Sequence, residues 1–302
     1  MSYILQTNDL TKTIDGKEII KKVNLHIKKG EIYGFLGPNG AGKTTVMKML
    51  TNLWKPTSGS IELFGEMLTP QSYEILKRIG SIIEFPTFYN HMTGYENLKL
   101  HCEYMGYYKH GSIETALDML DLSDASQKPV KSYSLGMKER LGIARAILCK
   151  PELLILDEPA NGLDPAGMKK IRDLLKNLCE EYGITVMISS HILSEIESIA
   201  DTIGIIHHGE MMKEIEKLSL AYVELVVTDT KKAAYVLSEK LKYHNFKIIE
   251  NNTIRIYDQH IATQELSKIL TLNDVEIMAL GKQAETLEDY FLKLTAEASR
   301  LC

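Results

Sequence analysis

Gly37-Pro38-Asn39-Gly40-Ala41-Gly42-Lys43-Thr44 sets three glycines, a lysine and a threonine at a spacing that suits a phosphate chain. Glycine lets the backbone curl so that successive N–H groups face one anion, and a helix starting at Lys43 adds the positive end of its dipole. Lys43 can then reach the β- and γ-phosphates of a nucleoside triphosphate, and Thr44 can offer its hydroxyl to Mg2+. Thr45, next in the chain, is grouped with the nucleotide-contacting residues. The context agrees: Glu31 to Leu36 reads as a strand running into the loop, and Lys43 to Leu53 as the helix leaving it. This is the Walker A pattern, and it predicts ATP as the bound nucleotide.

A second constellation completes the first. Leu153-Leu154-Ile155-Leu156 is an apolar strand that ends in Asp157-Glu158. Carboxylates at the edge of a buried strand are costly unless a cation or a bound water uses them. Taken alone, two acids after a strand could simply open a loop. Beside the phosphate loop they read as a Walker B segment, with Asp157 placed to hold Mg2+ directly or through water and Glu158 to polarise the attacking water as general base.

The chain that must position these groups has 302 residues, 44% hydrophobic and 25% charged, which is ordinary for a folded protein. Its net charge of -5 argues against a broad nucleic-acid-binding face, which needs clustered Lys and Arg. Cys102, Cys149, Cys179 and Cys302 show no CxxC spacing, so neither a zinc site nor a disulfide framework is expected, and a reducing cytoplasm fits best. Residues 1 to 8 lack the basic stretch and apolar run of a signal peptide, and no apolar stretch approaches the roughly 18 residues that span a bilayer. Any work at a membrane therefore needs another chain to do the spanning.

Apolar runs alternating with helical patterns from residue 1 to about 215 predict an α/β domain with a mixed or parallel sheet. Residues 86 to 150 read as a mostly helical insertion, opened by the capping-box spacing Thr93 to Glu96 and with a stop at Gly106. Ile184 to Ile188 reads as a further strand, and a hairpin at His208-Gly209 closes the domain. Residues 216 to 302 form a second, smaller domain. Strands at 221–228, 246–250, 253–257 and through Ala279, with helices at 230–244 and up to about 270, follow the βαββαβ order of a ferredoxin-like fold. A last helix is expected over 284–296, with Leu287, Tyr290, Phe291 and Leu294 on one face.

By these motifs residues 1 to about 215 resemble the nucleotide-binding subunits of ABC transporters, P-loop NTPases with an inserted helical subdomain. Tyr133-Ser134-Leu135-Gly136-Met137-Lys138 stands where the family signature opens a helix, Asn161-Gly162-Leu163-Asp164 resembles the D-loop, and Ser189-Ser190-His191 the switch histidine. The resemblance implies two copies that sandwich two ATP molecules. Ser134 and Gly136 of one would complete the site of the other by a helix cap, dipole and N–H, with Asp164 at the same interface, while His191 would contact the γ-phosphate and position the water. It also implies an integral-membrane permease as partner and a cytoplasmic protein peripheral on the inner face of the cell membrane.

Four positions depart from the family's usual residues. Leu135 and Met137 replace glycine and glutamine in the signature, and Ile14 stands where an adenine-stacking aromatic is usual, so apolar contact with the base remains without stacking. Glu84, in Gly80-Ser81-Ile82-Ile83-Glu84-Phe85-Pro86, replaces the Q-loop glutamine; a carboxylate near Asp157 and Glu158 would be a stronger Mg2+ ligand. This substitution and the stretch Phe88 to Leu98 resemble the bacitracin-resistance and lantibiotic self-immunity exporters, and residues 285–294 the tail of ABC-2-type drug exporters. The reading is the ATPase subunit of a bacterial exporter, as a homodimer or pseudodimer. The rival is a soluble ABC ATPase of translation or DNA repair, without a permease. A single Walker A loop and only about 90 residues between it and the signature argue against that rival.

Overall fold

The computed structural model describes residues 2–161, 163–216, 221–250, 252–258 and 261–284. The chain divides into two compact units, Met1–Ile215 and Glu216–Cys302. In the first, β1 (Tyr3–Ile14), β2 (Lys17–Val23) and β3 (His26–Lys28) precede β4 (Ile32–Leu36) and α1 (Lys43–Leu50). There follow β5 (Ser58–Leu63), β6 (Glu66–Met67), α2 (Tyr73–Lys77) and β7 (Ile79–Ile82). A helical stretch holds α3 (Gly94–Met105), α4 (Ser112–Met119) and α5 (Leu135–Ile147). The sheet resumes with β8 (Leu153–Leu156), α6 (Pro165–Glu180), β9 (Thr185–Ser190), α7 (Leu193–Ile199), β10 (Thr202–His207) and β11 (Glu210–Glu216).

Two sheets make this unit, where the sequence suggested one. The six-stranded sheet runs β11-β10-β4-β9-β8-β7, and every pair from β10 to β7 is parallel. All residues of β4, β8 and β9 are buried, as expected for strands covered on both faces. The other sheet, β2-β1-β5-β6 with β3 also on β1, is antiparallel. Its Leu5, Leu10, Ile20 and Leu63 share one core with Phe35 of β4 and Val46, Met47 and Leu50 of α1. The helix leaving the glycine loop is thus anchored by both sheets.

Local chemistry sets the boundaries. Thr93 and Glu96 form the expected capping box, with Thr93 Oγ1 accepting from Glu96 N (3.1 Å) and Glu96 Oε2 from Thr93 N (2.7 Å). Gly106 ends α3 at φ 65. The turn His208-Gly209, at φ 49 and 79, joins β10 to β11 with the two left-handed residues of a type I′ hairpin. α1 stops three residues short of the expected Leu53, because Thr51 bonds back to Met47 O (2.9 Å) and Asn52 turns left-handed at φ 59.

In the second unit β12 (Ala221–Val227), α8 (Thr230–Glu239), β13 (Phe246–Glu250), β14 (Thr253–Ile256), α9 (Thr263–Leu272) and β15 (Ile277–Ala284) follow the βαββαβ order. The sheet order β13-β14-β12-β15, antiparallel throughout, is the ferredoxin-like one. Val223, Leu225 and Val227 alternate inward against Val236, Leu237, Leu266 and Leu270 of the two helices. The α8 helix ends at Glu239, before the expected 244, and Lys242 is left-handed at φ 56. The helix expected over 284–296 lies, beyond Ala284, outside the described residues.

Helix and sheet approach closely at Gly80 of β7, where an added Cβ would run into the backbone carbonyl of Ala146 in α5. Backbone cannot move aside cheaply, so Gly80→Ala is expected to lower stability by about 1–3 kcal/mol, read as a lower denaturant midpoint with unchanged slope.

Candidate functional site

Because β4, β9, β8 and β7 are parallel neighbours, the loops that follow them all leave one edge of the sheet. In register, Leu36 faces Ser190, and Leu156 faces both Ile188 and Ile82. Residues up to about 150 positions apart in sequence thereby meet within hydrogen-bond distance. This edge is where open parallel sheets bind ligands.

The glycine loop is built for close approach. A Cβ on Gly37 would strike the Ile206 carbonyl, and Gly42, at φ 109, caps α1 without any side-chain hydrogen bond, so the helix N-terminus faces out uncapped. Pro38, Asn39 and Gly40 are exposed. The loop is propped from behind by the hairpin turn, since Gly209 N donates to Ala41 O (2.9 Å), and from the side by Gly37 N donating to Ser190 O (3.3 Å).

Lys43 is only 5% exposed. Its ammonium donates to Gly37 O (2.7 Å) and Pro38 O (3.2 Å) and pairs with Glu158 Oε1 at 3.2 Å. Thr44 Oγ1 donates to Asp157 Oδ2 (2.7 Å), and Ser189 Oγ donates to Asp157 Oδ1 (2.7 Å). Ser189 Oγ also accepts from Glu158 N (2.9 Å), fixing the backbone of Glu158 in a left-handed conformation at φ 47. Such a conformation costs a non-glycine residue on the order of 1 kcal/mol and persists only when its surroundings impose it. His191 Nδ1 lies 3.0 Å from Glu158 Oε2, and Asn161 Nδ2 donates to the same oxygen. Burial pushes the Glu158 carboxyl up, but the hydrogen bonds from Asn161 and Lys43 and the charges of Lys43 and His191 outweigh it and hold the group below its ordinary value. It is a carboxylate at neutral pH.

The sequence-derived set is thus divided. Lys43, Thr44, Asp157, Glu158 and His191 are brought together, and Thr45 follows in the first turn of α1, half-buried. Glu84 is not brought to the two acids: it leaves β7 left-handed (φ 63) and its carboxylate pairs with Lys48 of α1 at 2.7 Å. Lys48, its partner, lies one helical turn past Thr44. Ser134 caps α5 by accepting from Met137 N (3.2 Å), and among the described residues its hydrogen bonds stay within its own helix. Leu135 beside it is 53% exposed. Asp164 caps α6 by accepting from Gly167 N (3.0 Å). Gly162 lies outside the described residues. Ile14 is exposed at the end of β1. Sequence reasoning gave Ser189 and Asn161 no contact with Asp157 or Glu158 and the 208–209 turn no part as a prop; a serine two residues before a histidine carries no sign of which carboxylate it will bond.

Hydroxyl and carboxylate oxygens at Thr44 and Asp157 are the hard donors that Mg2+ takes, and an ion that keeps waters and phosphate oxygens needs few protein ligands. Among the described residues no three His, Cys, Asp or Glu side chains converge on a metal position.

The ABC transporter family profile matches residues 20–161. The uncharacterized ABC transporter ATP-binding protein YcbN of Bacillus subtilis (strain 168) is 57% identical over 97% of both chains. The chain belongs to the ATP-binding proteins of ABC transporters. The bacitracin transport ATP-binding protein BcrA of Bacillus licheniformis is 45% identical over 97% of this ABC ATPase and 98% of BcrA. Among solved structures, the ATP-binding cassette MJ0796, a dimer in a post-hydrolysis state bound to ADP and Pi, matches with a TM-score of 0.64. The match has 28% identity and covers 70% of this chain and 98% of that one. The protein is accordingly a nucleotide-binding ATPase whose hydrolysis is coupled to transport.

One buried acid of this ABC ATPase stands apart. Glu139 of α5 is one turn from both Gly136, whose neighbour is Leu163, and Gly142, which packs on Ile82 and Pro86. Burial pushes its carboxyl up to about 7 from an ordinary 4.5. The folded state therefore holds a proton that the unfolded state releases between these values. Stability is greatest below pH 4.5 as far as this group goes, falls as pH rises to about 7, and then stays lower. Glu139→Gln should flatten that slope, in unfolding curves taken from pH 5 to 8.

Proposed function

We propose that this chain powers a bacterial exporter of a peptide antibiotic of the bacitracin type, acting as a homodimer beneath a separate permease on the cytoplasmic face of the membrane. The observation that carries the catalytic part is the run of contacts from buried Lys43 through Glu158 to His191. For the cargo, the support is the likeness to BcrA along nearly the whole chain. No helix among the described residues is long and apolar enough to cross a membrane, so the cargo path belongs to the permease.

In this reading Gly37 to Thr45 hold the phosphates of ATP, with Lys43 on the β- and γ-phosphates and Ile14 against the base. Thr44 and Asp157 hold Mg2+, which neutralises charge on the transferring phosphoryl group. Glu158 accepts a proton from the attacking water, while His191 contacts the γ-phosphate and fixes the water. Ser134, Gly136 and Asp164 act on the site of the second copy. Their support is that Ser134 and Leu135 are exposed and that, among the described residues, Ser134 bonds within its own helix. Closure of the sandwich around ATP and its opening after hydrolysis drive the permease. Exposed aromatics near Glu84 suit that contact: Phe85 is 71% exposed and Tyr89 57%. The second unit serves dimerisation, a role supported by its edge strand β13, which exposes Ile248 and Ile249.

Glu158→Gln should retain ATP binding and lose about 10²–10⁴-fold in turnover, measured as phosphate release beside nucleotide affinity. Equal rates would remove Glu158 as the base. For Glu84 the expectation is that binding of Mg2+ and ATP draws it from Lys48 and couples the site to the helical segment. Glu84→Gln should then impair antibiotic resistance in cells more than it weakens ATP binding, and wild-type resistance would refute the coupling.

A further inference from the structure

At the opposite end of the strands from the phosphate loop lies a second cavity of about 760 Å³, within the first unit. That volume falls in the range of small-molecule sites, roughly 300–1,000 Å³. Its walls come from the segment before α4 and the ends of α5 and α6, with the starts of β8 and β9 at its base. Two features are unusual. First, Lys29, Lys109, Lys150 and His110 all line it, in a chain whose net charge is -5. Second, Lys109 stands within hydrogen-bonding reach of Lys150, and its ammonium holds the Lys150 pKa below the ordinary lysine value.

Two ammonium groups close together at the mouth of a cleft repel, and an anion between them would relieve the repulsion. Among the described residues lining the cavity, the one acid is Glu152. Its Oε1 is already taken by Arg78 Nε at 2.7 Å, and the charge of Lys29 acts on the same carboxylate, which leaves Lys109 and Lys150 as the pair facing one another. The rest of the wall includes Met119, Leu148 and Leu178, which offer an apolar surface beside the cationic rim. None of these residues belongs to the nucleotide site.

We propose that this cavity binds a small amphiphilic anion, a phosphate head between Lys29, Lys109 and Lys150 with an apolar body on Met119, Leu148 and Leu178. The head answers the unbalanced charge, and the body removes the apolar wall from water. Such a ligand would span α4 and the base of the parallel sheet, bracing the helical segment against the strands.

The test is calorimetric titration of the full chain with octyl phosphate below its micelle concentration. The same titration is run with inorganic phosphate and with octyl glucoside, which carry the head or the body alone. Octyl phosphate should bind at least tenfold tighter than either, and Lys43→Ala should leave its affinity unchanged. Lys109→Glu and Lys150→Glu should each weaken it at least tenfold, with Lys150→Arg retaining it and these three rim variants keeping the wild-type thermal midpoint. Unchanged affinity in both charge reversals, equal binding of octyl glucoside or inorganic phosphate, or loss of binding in Lys43→Ala would each overturn the site. Sedimentation with vesicles of phosphatidic acid and phosphatidylcholine separates the two sources of such a head. Lysine-dependent co-sedimentation assigns it to a bilayer lipid, and octyl phosphate binding without co-sedimentation assigns it to a free molecule.

Discussion

The ammonium of Lys43 is almost sealed from water, and a buried cation is tolerable only when its hydrogens are all directed at oxygen. Two of those oxygens are carbonyls of its own loop, which the loop can present only because glycine allows the chain to fold back there. The third belongs to Glu158, on another strand. Glu158 must therefore be held where the ammonium is, and most of the surrounding structure does that. Ser189 pins its backbone, Asn161 and His191 share its outer oxygen, and the parallel pairing of β4, β9 and β8 brings the three segments to one edge.

The same arrangement sets the ionisation of Glu158. Burial by itself would favour a protonated Glu158, and the hydrogen bonds from Asn161 and Lys43, with the charges of Lys43 and His191, reverse that tendency. Asp157, clasped between the hydroxyls of Thr44 and Ser189, has both oxygens oriented before any ion arrives. A site prepared in this way needs little reorganisation when a nucleotide enters.

Lys48 and the rim of the second cavity illustrate a further use of charge. Lys48 of α1 pairs with Glu84, whereas Lys109 and Lys150 stand close together, with Glu152 the one acid among the described residues lining the cavity. Each cation is placed by backbone geometry and then finds, or lacks, its counter-ion.

Much was legible from residue types and spacing alone. Gly37 to Thr44, the apolar run into Asp157-Glu158, the capping box at Thr93 and the βαββαβ order all rest on local rules, in which each residue's neighbours in sequence are its neighbours in space. Those rules hold because glycine, β-branched alternation and helix caps act over a few residues. What only the tertiary structure decided involves partners far apart in the chain: the separate antiparallel sheet that anchors α1, Ser189 as the clamp of Asp157, the hairpin turn behind Ala41 and the attachment of Glu84 to Lys48. A carboxylate goes to the ammonium that folding brings nearest, and Coulomb attraction depends on distance in space, which spacing in sequence does not encode.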